Sequence, residues 1–96
     1  MHTGAVSIEF DTALAGSNLR KHGVGFADAE QALRDPFAVT IEEPVVGDQP
    51  RFVSLGADSL GRILVVVHTP RGENVRLISA RKASRGEASH YHGQEL

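Results

Sequence analysis

Apolar and polar residues alternate near the start of the chain. Val6, Ile8 and Phe10 are separated by Ser7 and Glu9, a period of two that predicts a short strand over residues 6–10. Asp11 follows as an N-cap, its carboxylate able to accept the unpaired N–H groups of a helix over residues 13–22. The apolar face of that helix is thin: Ala15 and Leu19 stand at i, i+4 with Leu14 beside them. Gly16 weakens it by about 1 kcal/mol relative to alanine. Lys21 and His22 in the last turn suit the helix dipole, and Gly23 offers a left-handed C-cap. A second helix over residues 26–34 carries Phe26, Ala29 and Leu33 on one face, and Asp35-Pro36 stops it.

The pattern then turns to β. Residues 37–41 predict a strand. Residues 42–50 hold two prolines, Gly47 and Asp48, and read as a loop or an exposed edge. Residues 51–57 alternate imperfectly through Phe52, Val53 and Leu55, and residues 58–61 form a tight turn. Residues 62–69 are the central strand, apolar on both faces from Ile63 to Val67. A hairpin turn over 70–74 leads to a strand over 75–81. A third helix spans 83–91, with Ser84 and Glu87 at capping-box spacing, and residues 92–96 read as a frayed tail. The order predicts an α+β domain: a small antiparallel sheet with two N-terminal helices and one C-terminal helix. With 96 residues the chain is expected to form one domain over residues 1–96, with one small core.

Composition narrows the class. At 41% hydrophobic residues the chain is ordinary for a globular protein. No stretch approaches the ~20 apolar residues of a membrane span, and no basic region followed by an apolar run marks a secretory leader. Lack of cysteine excludes a disulfide framework and thiolate chemistry. A cytoplasmic protein fits. The net charge of −2 hides an asymmetry. Residues 1–50 hold three cations against eight acids, net −5, whereas residues 51–96 hold seven cations, six of them arginine, against four acids, net +3. The acidic half argues against a general nucleic-acid binder but is compatible with a local basic cleft. The cations gather into two signatures: Asn18-Leu19-Arg20-Lys21-His22-Gly23-Val24-Gly25-Phe26, and Arg76-Leu77-Ile78-Ser79-Ala80-Arg81-Lys82-Ala83 followed by Arg85, Glu87 and Tyr91. Several fixed cations around one cleft are what is needed to grip a phosphodiester.

With Ile8-Glu9-Phe10-Asp11, Asp35-Pro36, Arg51 and the run from Gly61 to Thr69, these signatures occur in the order of a known family. The chain resembles the BrnT toxins of type II toxin–antitoxin systems, within the wider RelE-like ribonuclease fold. The resemblance spans most of residues 8–91. Phe10 stands where such chains usually have Trp, Leu14 where they have Lys, and a usually arginine-rich stretch is reduced to Ala88-Ser89-His90. The resemblance implies metal-independent RNA cleavage that arrests translation, and neutralisation by a small ribbon-helix-helix antitoxin of the BrnA type. It also implies that operator DNA is met only through the antitoxin complex. No membrane contact and no cofactor are expected.

Metal-free RNA cleavage needs a base for the 2′-OH proton, cations for the crowded phosphorane and an acid for the 5′-oxygen. The expected catalytic set is Lys21, Arg51, Arg76 and Arg81, with the last two clamping the phosphate. Lys21 serves as base or acid if neighbouring cations depress its pKa, and otherwise as a third clamp. Strand alternation places Arg76 and Arg81 on opposite faces. They share a cleft only if the strand bulges near Ser79; otherwise one of them is structural. His22, Arg62, Lys82 and Tyr91 are the expected RNA contacts. Three have a plainer reading: His22 a helix-end residue, Arg62 a solvated sheet-edge cation or the partner of a carboxylate, Tyr91 a ring that closes the core. His68 reads as a satisfied sheet residue. His90 and His92, at i, i+2, do not share a helical face, so no metal site is expected. The alternative function is a catalytically weak homologue kept as a scaffold or co-repressor with its antitoxin. A third is a sheet-forming adaptor that binds no RNA.

Overall fold

The structure, a computed structural model, describes residues 6–93, with residues 44–46 through their backbone alone. The elements are β1 (Ile8–Glu9), α1 (Thr12–His22), α2 (Phe26–Leu33), β2 (Val39–Val46), β3 (Gln49–Ala57), β4 (Ile63–Arg71), β5 (Asn74–Lys82) and α3 (Arg85–Gly93). The α+β order is as expected. The strands form one five-stranded sheet in the order β1-β5-β4-β3-β2. The sheet is mixed rather than wholly antiparallel, because β1 pairs in parallel with β5, Ile8 beside Val75 and Glu9 beside Arg76. After β1 the chain turns into α1, and the next strands add on the far side as antiparallel hairpins.

Of the two readings of the proline-bearing stretch before Arg51, the structure has the exposed edge: residues 42–50 lie in the β2–β3 hairpin. It becomes the outermost strand pair, turning at Gly47 with φ +79°. The β2 register shifts between Glu43 and Val46, where Pro44 lies. An edge strand can absorb a proline at such an irregularity, since one side of its ladder has no partner to lose.

Helices α1 and α2 cover one face of the sheet. The core there joins Val24, Phe26, Ala29 and Ala32 to Leu64, Val66, Leu77 and Ala80. Backbone approach is closest at Gly56, where a Cβ would stand 2.0 Å from the Ala32 carbonyl oxygen. Only glycine lets α2 lie against β3. Helix α1 differs from its sequence reading. Leu14 and Leu19 are 39% and 53% exposed, and the buried side chain of this helix is Asn18. Its amide accepts from Ala80 N–H at 3.0 Å and donates to the Ala80 carbonyl at 2.8 Å and the Val24 carbonyl at 3.0 Å. Two-residue β1 ends before reaching Ala80, so Asn18 supplies the bonds a longer strand would have made.

The other face is covered at one end only, by α3. Ser84 and Glu87 cap this helix reciprocally, with Ser84 N–H donating to Glu87 at 2.8 Å and Glu87 N–H donating to the Ser84 hydroxyl at 3.2 Å. Its far end is tied down by the buried Tyr91, whose hydroxyl donates to Asp35. Val65, on the α3 side of the central strand, is as buried as its helix-side neighbours, which explains the apolar run on both faces. The helix includes His92 and Gly93, part of the expected tail; residues 94–96 lie outside the described residues. Among the described residues no helix is long and apolar enough to cross a membrane.

Candidate functional site

Register decides which cations share a face. In β4, Val65, Val67 and Thr69 alternate onto the face opposite α1 and α2. Arg81 pairs with Val65 and Arg76 with Thr69, so both arginines lie on that face. Five residues separate them, an odd number, and a regular strand would set them on opposite sides. The pairing shifts between Val67 and His68, which oppose Ser79 and Leu77, and leaves Ile78 as the extra residue of a bulge. The required irregularity is therefore present, next to Ser79.

Continuing the β3–β4 register one step past Phe52 and His68 places Arg51 beside Thr69 on the same face. Glu43 pairs with Arg51 on one side, and Glu9 pairs with Arg76 on the other. The result is a transverse row across all five strands: Glu43, Arg51, Thr69, Arg76, Glu9. Arg51 and Arg76 are two strand spacings apart, about 10 Å between backbones. Neither guanidinium makes a hydrogen bond or ion pair among the described residues. The Thr69 hydroxyl donates to the Pro50 carbonyl at 2.7 Å, tying β4 to the start of β3. Asn74 donates from Nδ2 to Glu9 Oε2 at 2.8 Å.

Arg81 lies two double steps along the sheet from this row, about 13 Å away. Its guanidinium is already engaged bidentately, with both nitrogens 2.9 Å from the Glu87 oxygens. The Arg81 guanidinium and the Ser84 N–H hold the Glu87 carboxyl down to about 2. Between α3 and the strands, Val39, Ile41, Val53 and Leu55 floor a groove of about 260 Å3 rimmed by Gly86, Glu87 and His90.

The remaining expected site residues go elsewhere. Lys21 is one turn past Asn18, which bonds Ala80, so it stands toward the Lys82 end of β5 while Arg76 stands at the other. The expected meeting of Lys21 with Arg76 does not occur, because α1 runs along β5 and carries its C-terminus away from Arg76. His22 is an exposed helix-end residue. Lys82 pairs with Leu64 and so belongs to the helix-covered side. Arg62 bonds Asp58 at 2.8 Å and Asp28 at 3.1 Å, joining the β3–β4 turn to α2. Burial raises the Asp58 carboxyl, but its bonds to Arg62 and to the turn N–H groups outweigh that and leave it below the usual value. Tyr91 is a core residue, not a stacking platform. Burial likewise raises Asp35, and the Tyr91 hydroxyl with the Ala57 and Phe37 N–H groups brings it below the usual value.

His68 is a satisfied sheet residue as read: Nε2 is 2.9 Å from the Ser54 hydroxyl, which is 2.6 Å from Thr40, and the ring stacks on Phe52. Burial pushes its pKa below the usual histidine value. Among the described residues no three His, Asp or Glu side chains converge to hold a metal ion.

A family model described as ribonuclease toxin, BrnT, of type II toxin–antitoxin system matches residues 10–87. The chain belongs to the BrnT family. The crystal structure of the Brucella abortus ribonuclease toxin BrnT superposes with a TM-score of 0.62 at 28% identity, covering 84% of this chain and all of that one. No curated protein matches the chain. Glu9, Thr69 and Glu87 stand beside Arg76 or Arg81 but are not among the site residues expected from the sequence. Glu9 alternates with Ile8 and so belongs to the face away from the core, which the pattern already carried. The pairing of Glu87 with Arg81 had no signal beyond the capping box.

Proposed function

We propose that this BrnT-family chain is a metal-independent endoribonuclease that cleaves RNA through its 2′-OH and so arrests translation in the cytoplasm. The observation that carries this reading is the pair of guanidiniums without partners among the described residues, Arg51 and Arg76, set about 10 Å apart on an open sheet face. Arginines with carboxylate partners fix the fold; arginines without them are ready for phosphate oxygens. Arg76 holds the scissile phosphate and Arg51 a neighbouring one. The apolar groove under α3 gives an unstacked base a place to leave water, as suits single-stranded RNA. A small ribbon-helix-helix antitoxin of the BrnA type neutralises the chain by covering this face and supplies the contacts to operator DNA.

The test is incubation of the purified protein with single-stranded RNA in EDTA. Fragments ending in 2′,3′-cyclic phosphate are expected from the unmodified chain and not from Arg76→Ala. Intact RNA at high protein concentration contradicts the reading. One observation favours the weaker homologue acting as scaffold or co-repressor: Arg81, an expected phosphate clamp, is already neutralised by Glu87. Expression without antitoxin separates the two, since the ribonuclease arrests growth and the scaffold does not.

A further inference from the structure

We propose that Glu9 is the general base of this site, a role resting on the ribonuclease reading above. Strand β1 is parallel to β5, so the paired residues Glu9 and Arg76 stand side by side on the open face, with backbones about 4.8 Å apart. A carboxylate and a guanidinium so placed ordinarily form an ion pair. Here they do not. Asn74, two residues before Arg76 and on the same face, takes Glu9 Oε2 at 2.8 Å. This leaves Oε1 of Glu9 without a partner among the described residues and leaves the guanidinium open beside it. Arg71, the last residue of β4, pairs with Asn74 on the same face. Glu9 is half-buried, and Asn74 and Arg76 both stand on β5.

A phosphodiester held by Arg76 brings its adjacent 2′-OH to the strand that carries Glu9. Glu9 Oε1 takes the 2′-OH proton as O2′ bonds to phosphorus. The P–O5′ bond then breaks, and O5′ takes a proton from water. The hydroxide so formed removes the proton from Glu9, and the products are a 2′,3′-cyclic phosphate and a 5′-hydroxyl. Asn74 is a positioning residue, acting through Glu9. A purely structural role for Glu9, clipping β1 to β5, predicts that any acceptor in its place suffices.

Glu9→Gln separates these roles, because the glutamine carbonyl still accepts from Asn74 while a proton can no longer be taken. Cleavage of single-stranded RNA and binding of its uncleavable 2′-deoxy analogue are measured on the full chain across pH. Glu9→Gln is expected to bind within about twofold of the unmodified chain and to cleave roughly a hundredfold or more slowly. Its profile is expected to lose the limb on which rate rises as a base deprotonates. Asn74→Ala is expected to lose about tenfold in cleavage and to retain that limb. Glu9→Gln cleaving within threefold of the unmodified chain, with the same profile, overturns the role of Glu9 and leaves the ribonuclease reading standing. A folded, unmodified chain that binds the analogue but does not cleave RNA overturns both.

Discussion

The two ends of β5 carry the same kind of side chain in opposite circumstances. At the Ala80–Lys82 end, Arg81 is clamped by Glu87 under α3, and the Ala80 backbone is bonded by Asn18. At the Asn74 end, Arg76 lies on the same face, half-buried beside Glu9, with no ion pair among the described residues. One end is finished by the protein itself; the other is left for something to complete. An arginine's chemistry is thus set by whether a carboxylate has been supplied within reach, which is a property of the fold and not of the residue.

Removing Arg76 is the strongest way to break this contrast. Arg76→Ala should lower RNA cleavage by roughly 10²–10³-fold, while thermal unfolding changes little, since no partner is orphaned. At the finished end the effects reverse. Asn18→Ala leaves the buried Ala80 N–H and carbonyl unpaired and should cost about 2–3 kcal/mol by denaturant unfolding. Leu19→Ala, on the same helix but at an exposed position, should stay within about 0.5 kcal/mol. Arg62→Ala should lower the unfolding temperature measurably and leave cleavage by the surviving folded protein unchanged.

Acid sharpens the same comparison. The folded Glu87 carboxyl lies at about 2, below its ordinary 4.5, so its pairing stabilises the fold fully above pH 4.5 and is lost as pH falls through 2. The pair is over one-third exposed on its Arg81 side, which keeps this contribution small. Circular dichroism across that window should show a shallower acid dependence for Glu87→Gln. The smallest expected effect is that of Lys21→Ala, which should change cleavage less than about threefold, since α1 carries Lys21 toward the other end.

Much of this fold is legible in the chain because it is local. Asp11 and Gly23 bracket α1 as expected, the one through its carboxylate and the other in the left-handed conformation that a missing Cβ permits. Ser84 and Glu87 form their box. The hairpin turn over 70–74 marks the start of β5, the strand that carries Arg76 and Arg81. What was not legible depends on partners distant in sequence. Leu19 looked like the inner face of α1 because hydrophobic periodicity cannot register an asparagine that replaces a missing strand. The prolines of residues 42–50 leave a loop and an exposed edge both open, and only the pairing with β3 decides for the edge. For the site, the arginines could be named, and a bulge near Ser79 recognised as the condition for their sharing a face. Which of them is already paired follows only from Asp28, Asp58 and Glu87 being brought alongside Arg62 and Arg81.

The central claim is that phosphate binds the unpaired row and not the finished end. The salt dependence of affinity for single-stranded RNA tests it, with Arg51 and Arg76 changed together to alanine and, separately, Lys21 and Lys82 changed together. Each phosphate contact on a single strand contributes about 0.7 to the slope of log affinity against log salt. The account predicts that the slope falls by about 1.4 in the arginine pair and is unchanged in the lysine pair. The opposite result, an unchanged slope without Arg51 and Arg76 and a reduced one without the lysines, contradicts it.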